Sequence, residues 1–300
     1  MPWRMDRRRF LAGAALSCVL RSPAQSAGAP RIASADWAAA ECLLALDIIP
    51  VAVAETALYR RWLPQLALPA TVTDLGSRAE PNLELLAALA PERIFISNWQ
   101  IGLTPLLERI APVEKVAIID GRGDALDNAR EALVRIGATT GRQSQARVYL
   151  DAFDVALAGS AGRLASGITR PVYIGVLHEN GTQLFLYGQG SWVHALMLRL
   201  GLRNALKRPT SAFGNALVDL AQLAESPDAI LLYLDQGART RRAERALAGS
   251  TLWRELPMVK QRRTRAIPPF YALGGLPSVL RTLHVIDAAL GGEPGRRLDG

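Results

Sequence analysis

Cysteine and histidine are scarce in this chain, at two and three in 300 residues. Cys18 falls in an amino-terminal leader, as argued below, so Cys42 stands alone and no intramolecular disulfide can form. Stability must therefore come from packing, and a chain that is 50% apolar has ample material for a core. His178, His194 and His284 are too few and too scattered for a zinc or iron cage, which needs three or four converging ligands, so no metal site is expected. Phosphate-cradling loops are missing too: Gly121-Arg122-Gly123 and Gly274-Gly275 lack the preceding strand and the full glycine spacing. Gly188-Gln189-Gly190-Ser191-Trp192 resembles a nucleophile turn only as far as Val193, where a second glycine would stand, and helix capping by Ser191 explains it better. No cofactor motif survives. Acid–base catalysis by a carboxylate pair stays open, because spatial neighbours are invisible in a sequence.

What is present begins with an address. Asp6-Arg7-Arg8-Arg9-Phe10-Leu11 places paired arginines before an apolar run over residues 10–20, followed by a small, polar stretch over residues 22–29. This pattern is a twin-arginine export signal, here taken as residues 1–27. The run is short of the ~20 residues that span a bilayer, which argues against a membrane anchor. Removing the leader takes away five arginines and one aspartate and lowers the formal charge from +8 to +4. The other basic clusters, Arg239/Arg241/Arg242/Arg245 and Lys260/Arg262/Arg263/Arg265, lack interleaved aromatics and read as solvated surface, so no nucleic-acid partner is expected.

A loose internal repeat organises the rest. Leu83-Glu84-Leu85-Leu86-Ala87-Ala88-Leu89-Ala90-Pro91 leads into Ile94-Phe95-Ile96, and Val218-Asp219-Leu220-Ala221-Gln222-Leu223-Ala224-Glu225-Ser226-Pro227 leads into Ile230-Leu231-Leu232, with Ser226 as an inserted residue. Each copy reads as a short helix stopped by proline and feeding a buried strand. Strand and helix signals alternate from Arg31-Ile32-Ala33-Ser34 through a strand at Val116-Ala117-Ile118-Ile119 and a helix over residues 125–136. Tyr149, Leu150, Phe153, Leu157, Ala161 and Leu164 then keep helical spacing over an unusual length. The expectation is an α/β fold of two lobes: 30–140, a linking helix over 141–167, 168–291, and a mobile tail over 292–300. Two shorter helices broken near Gly159 and Gly162 remain the alternative to one long helix.

A cleft between α/β lobes is where small ligands bind. Trp37, Trp62, Trp99, Phe213 and Tyr271 fall where loops leave expected strands, and Arg78 follows Gly76-Ser77 in a loop. Together they outline an aromatic-walled pocket with one cation.

At these residues the chain resembles the periplasmic ferric-hydroxamate (ferrichrome-type) siderophore-binding proteins of bacterial iron ABC importers, over most of residues 31–291. The resemblance is carried by Trp37 with the run from Glu41 to Ile48, by Tyr59-Arg60-Arg61-Trp62, by Asp74-Leu75-Gly76-Ser77-Arg78-Ala79-Glu80-Pro81-Asn82-Leu83-Glu84-Leu85-Leu86, by Arg109-Ile110-Ala111-Pro112 and by Thr251-Leu252-Trp253-Arg254-Glu255-Leu256-Pro257. It implies a class III periplasmic-binding-protein fold, two α/β lobes joined by one long α-helix. It implies that Arg78 bonds hydroxamate oxygens and that Trp62, Phe213 and Tyr271 hold aromatic pocket positions. It also implies that Glu84 and Asp219, equivalent within the repeat, dock the lobes onto an ABC permease. The chain departs from the pattern where Gln100, beside Trp99, stands in place of a tyrosine, where Ile96 stands in place of a tryptophan, and where Phe213 and Tyr271 replace tryptophans.

The expected function is that of a monomeric periplasmic binding protein, not an enzyme and without a cofactor, whose ligand is an iron(III)-siderophore complex. Iron held by three hydroxamates is near neutral, so one arginine and several rings suffice, whereas a triply anionic catecholate complex would want several cations. The alternatives are another iron chelate, haem or cobalamin on the same fold, or an exported α/β hydrolase.

Overall fold

The computed structural model describes residues 30–291 apart from Arg122 and Ser166. The expected export signal and tail lie outside the described residues. The amino-terminal half runs β1 (Ile32–Ser34), α1 (Trp37–Ala45), β2 (Ala52–Val53), α2 (Thr56–Trp62), β3 (Thr73–Asp74), α3 (Leu83–Ala88), β4 (Arg93–Ser97), a 3₁₀ helix (Asn98–Leu103), α4 (Thr104–Leu107), β5 (Val113–Val116) and α5 (Ala125–Thr139). After α6 (Gln143–Leu164) follow β6 (Val172–Leu177), β7 (Gln183–Tyr187), α7 (Trp192–Arg199), β8 (Asn215–Asp219), a second 3₁₀ helix (Leu220–Glu225), β9 (Ile230–Leu234), α8 (Ala238–Ala248), α9 (Thr251–Glu255), α10 (Pro257–Lys260), β10 (Thr264–Ile267) and α11 (Leu276–Leu290).

Each half builds one five-stranded sheet, in the orders β3-β2-β1-β4-β5 and β10-β9-β6-β7-β8. Matched from β1 and β6 outward, the two orders are the same, so the internal repeat extends to topology. One strand differs. All pairs in the first sheet are parallel, whereas β7 runs antiparallel to both β6 and β8. The link between β6 and β7, residues 178–182, is too short for the crossover of about a dozen residues that a parallel pair requires, so the chain must turn back on itself.

Helix α6 continues unbroken through Gly159 and Gly162 for 22 residues, which excludes the reading as two helices. It packs on α5 and α11. The largest core cluster draws Ile32, Leu43 and Phe95 from the first half together with Ile174, Leu232 and Ile286 from the second. Residues 31–291 accordingly belong to one compact unit.

Two local readings are corrected. The strand expected over residues 116–119 is β5, Val113–Val116, paired with Ile94–Ser97. Ile118 and Ile119 are buried beyond its end, where Asn128 Nδ2 donates to the Ile118 carbonyl and Asn98 Nδ2 to that of Ile119, both at 3.0 Å. Apolar residues with side-chain-satisfied carbonyls imitate a strand in sequence. The second correction concerns the repeat frame. Val218 and Asp219 close β8, and Asp219 is the N-cap of the 3₁₀ helix that follows, matching Asn82, the N-cap of α3. Glu84 lies two residues inside α3, so the two acids are not equivalent by position.

Candidate functional site

The site begins at the trailing ends of β1 and β4. Asp36, just after β1, is the N-cap of α1 and accepts from the Ala38 and Ala39 amides at 2.9 and 3.3 Å. Ser97 ends β4 and is held by Gln100, whose Oε1 accepts from the Ser97 amide at 2.8 Å. These turns open a shallow cleft whose wall includes Asp36, Trp99, Ile119, Phe213 and Tyr271. Phe213 comes from the loop between α7 and β8, and Tyr271 from the stretch between β10 and α11, so both halves of the chain meet here. The enclosed space is about 20 Å³, room for a water molecule. Anything of siderophore size must rest across the cleft, largely open to solvent. Trp99 and Phe213 are 43% and 47% exposed, an arrangement that leaves apolar rings for a ligand to cover.

Arg78 is the organised cation. Its guanidinium carbon lies 3.8 Å from the Trp37 ring centroid, Nη1 donates to the Tyr271 hydroxyl at 2.7 Å, and Nε donates to Glu55 Oε2 at 2.8 Å. The Arg78 amide also donates to Glu55 Oε1 at 3.2 Å. Trp37 is buried and anchored by its indole N–H on the Ala54 carbonyl at 2.9 Å, and it stacks obliquely on Tyr271 with centroids 5.1 Å apart. Burial raises the pKa of the Tyr271 hydroxyl and keeps it protonated. Among the described residues nothing accepts from Arg78 Nη2. A fixed guanidinium with a donor to spare suits a hydroxamate, carboxylate or phosphate oxygen.

Of the remaining expected residues, Gln100 is buried with its amide fully engaged: Nε2 donates to the Arg78 carbonyl at 2.7 Å and to that of Ala35 at 3.0 Å. It fixes the backbone of Arg78 from behind. Trp62 packs half-buried against the cluster of Trp37, Tyr59 and Leu63; like Arg78, Trp37 and Gln100, it does not line the small cleft itself, which Arg78 reaches through its bond to Tyr271. Glu84 and Asp219 are exposed, and neither forms an ion pair among the described residues, although Gln183 Nε2 donates to Asp219 Oδ1 at 3.0 Å.

Sequence reasoning missed Glu55, Asp36 and Glu41. Glu55 partners Arg78 across 23 positions, and its own left-handed backbone (φ 54°) carried no signal. Asp36 could have been found as an N-cap ahead of an apolar helix. Glu41 could have been found as the one charge in the apolar run Trp37-Ala38-Ala39-Ala40-Glu41-Cys42-Leu43-Leu44, where a buried partner is required.

Burial pushes the Asp36 carboxyl up to about 6, against the opposing pull of the Ala39 amide and the Arg78 charge. The folded protein thus binds this proton more tightly than the unfolded chain. The Asp36 contribution to stability is present below about pH 4 and is lost as pH rises to about 6. Asp36→Asn keeps a good N-cap and removes the proton. Relative to the parent, it is expected to gain on the order of 2–3 kcal/mol between those pH values, read as a rising melting-temperature difference. A difference that stays flat with pH would disprove the assignment.

A family model described as periplasmic binding protein matches residues 32–271. The iron(3+)-hydroxamate-binding protein FhuD of Escherichia coli (strain K12) is 30% identical over 296 residues, covering 96% of this chain and 98% of that protein. The Fe(3+) dicitrate-binding periplasmic protein FecB of the same organism is 30% identical over 174 residues, 57% of this chain and 56% of that protein. Among solved structures, the Fe3+-Desferal-bound siderophore binding protein FhuD from Vibrio cholerae aligns with a TM-score of 0.81 and 29% identity, over 88% of this chain and 99% of that one.

Proposed function

The chain belongs to the periplasmic binding protein family, and from that premise we propose that it captures a ferric hydroxamate siderophore between its lobes and hands it to an inner-membrane ABC permease for iron uptake. It is a binding protein rather than an enzyme. The observation that carries the ligand class is the charge balance at Arg78. Glu55 sits in ion-pair contact at 2.8 Å, and Asp36 lines the cleft together with Tyr271, the hydrogen-bond partner of Arg78, so the site holds no net positive charge. A neutral tris-hydroxamate complex loses nothing there, while a triply anionic catecholate complex would meet carboxylates without enough cations to offset them. Arg78 Nη2 donates to hydroxamate oxygens, Trp99 and Phe213 cover the apolar rim, Tyr271 and Gln100 hold Arg78 in place, and Trp37 forms its floor.

Glu84 and Asp219, both exposed and free of ion pairs among the described residues, dock the lobes on cationic side chains of the permease. Export by the twin-arginine route and residence in the periplasm as a monomer complete the proposal. Trp62, half-buried, packs against the Trp37 cluster.

The test is tryptophan fluorescence titrated with ferrichrome, ferrioxamine, a ferric catecholate, haem and cobalamin. Saturable quenching by a ferric hydroxamate is expected; a response to haem, cobalamin or the catecholate alone would overturn the ligand class. A second expectation concerns motion. The core shared by both halves and the unbroken α6 resist hinge bending, so small-angle scattering should show nearly the same radius of gyration with and without ligand. Closure through tens of degrees would contradict it.

A further inference from the structure

A second cavity, of about 620 Å³, lies at the leading ends of β6, β9 and β10, beneath the carboxyl-terminal ends of α6 and α11. It shares no lining residue with the cleft. Five arginines line it: Arg163, Arg170, Arg262, Arg263 and Arg265. Half-buried Ile168, Ile230 and Leu290 give it an apolar floor.

Structural duties account for part of this charge. Arg163 pairs with Asp287, and Arg170 with Asp228 at 3.3 Å. Arg263 donates to the Ala229 and Pro227 carbonyls, each at 2.8 Å, and leaves its Nε buried without a partner. Arg265 donates to the Ala289 carbonyl at the end of α11. Among the described residues no acid pairs with Arg262, Arg263 or Arg265. Against five guanidinium charges stand two carboxylates and about half a negative charge from each of two helix ends, leaving about +2. Burial, and after it the neighbouring Arg170, lower the pKa of Arg263 against the opposing charge of Asp228. Arg262 is also held at φ 53°, a left-handed conformation in which a glycine would relax and an arginine is strained.

Excess positive charge around an apolar floor, in a space of ligand size, fits an amphiphilic anion, and arginine forks match phosphate oxygens. We propose that this cavity is a second binding site, for a phosphate-bearing anion whose apolar part rests on Ile168, Ile230 and Leu290. The proposal is independent of the cleft and of its ligand.

The test uses the purified protein. Inorganic phosphate and glycerol 3-phosphate are titrated by calorimetry at two salt concentrations, and flotation is measured with vesicles of phosphatidylglycerol or of phosphatidylcholine. Saturable, salt-sensitive binding of at least one anionic phosphate probe is expected, with no flotation on phosphatidylcholine. Binding of the soluble probes identifies a free phosphate as the source; binding confined to phosphatidylglycerol vesicles identifies a lipid headgroup. The double variant Arg170→Gln/Arg262→Gly alters two exposed side chains and relieves the strain at residue 262, so it should fold. It should bind at least about tenfold more weakly while quenching by a ferric hydroxamate is unchanged. Absence of binding by every probe, or equal binding by the variant, would overturn the site.

Discussion

Arg78→Ala is expected to weaken ferric hydroxamate binding about a hundredfold, equivalent to roughly 3 kcal/mol. The variant loses the organised donor proposed to face the ligand, and it also leaves two groups without their partner. Glu55 loses its ion pair in a place where its side chain is only 23% exposed, and the Tyr271 hydroxyl loses the N–H that orients it. A carboxylate left uncompensated beside the ligand repels the electron-rich oxygens around the iron, adding to the lost bond. Arg78→Lys should recover only part of the affinity. A lysine keeps the charge, but its single ammonium cannot lie flat on the Trp37 ring while reaching both Glu55 and Tyr271. Fluorescence titration of the three proteins distinguishes the cases: the order parent, lysine, alanine supports the geometry, and an alanine variant as tight as the parent would remove Arg78 from the site.

The sequence revealed elements with a strong period and a cap, and it failed where structure depends on distant partners. The pattern from Tyr149 to Leu164 and the Ser191 cap are local facts, and the structure places α6 and α7 on them. Strands β2 and β3 are two residues each, too short for any alternation to be read. Strand β7 does alternate in burial, with Leu184 and Leu186 inward, but its neighbours in the sheet are set by the short return from β6. At the site, Arg78 and Trp37 were legible because of residue type and loop position. Their contact was not, since it depends on the Glu55 and Tyr271 side chains arriving from 23 and 193 positions away. By the resemblance, Gln100 takes the place of a pocket tyrosine. A 3₁₀ capping box at Ser97 turns its side chain inward instead.

Glu41→Ala is expected to cost about 3–5 kcal/mol of stability and to lower the melting temperature by roughly 10 °C. Glu41 lies on α1, fully buried, and its carboxyl accepts from the Gly275 amide and, at 2.9 Å, from Ser278 Oγ. Gly275 is the N-cap of α11 and brings no side-chain cap of its own, so a residue 234 positions earlier caps that helix. The approach needs glycine: a Cβ on Gly275 would lie 2.6 Å from Cys42 Sγ and 3.0 Å from the Ala38 carbonyl. Truncation to alanine orphans both donors inside the core and opens a void between α1 and α11. Glu41→Gln keeps an acceptor and should cost much less. Its pH dependence is the more telling readout. Burial raises the Glu41 pKa well above the usual carboxylate range, so the fold retains a proton that the unfolded chain releases, and stability from this group falls as pH rises above about 4.5. The glutamine variant has no such loss. Its deficit relative to the parent should therefore shrink as pH rises from 5 to 8, and that of the alanine variant, which also lacks the titrating group, should shrink by the same amount from a larger starting value. Equal melting temperatures for parent and alanine variant would show that α11 does not depend on Glu41 for its cap.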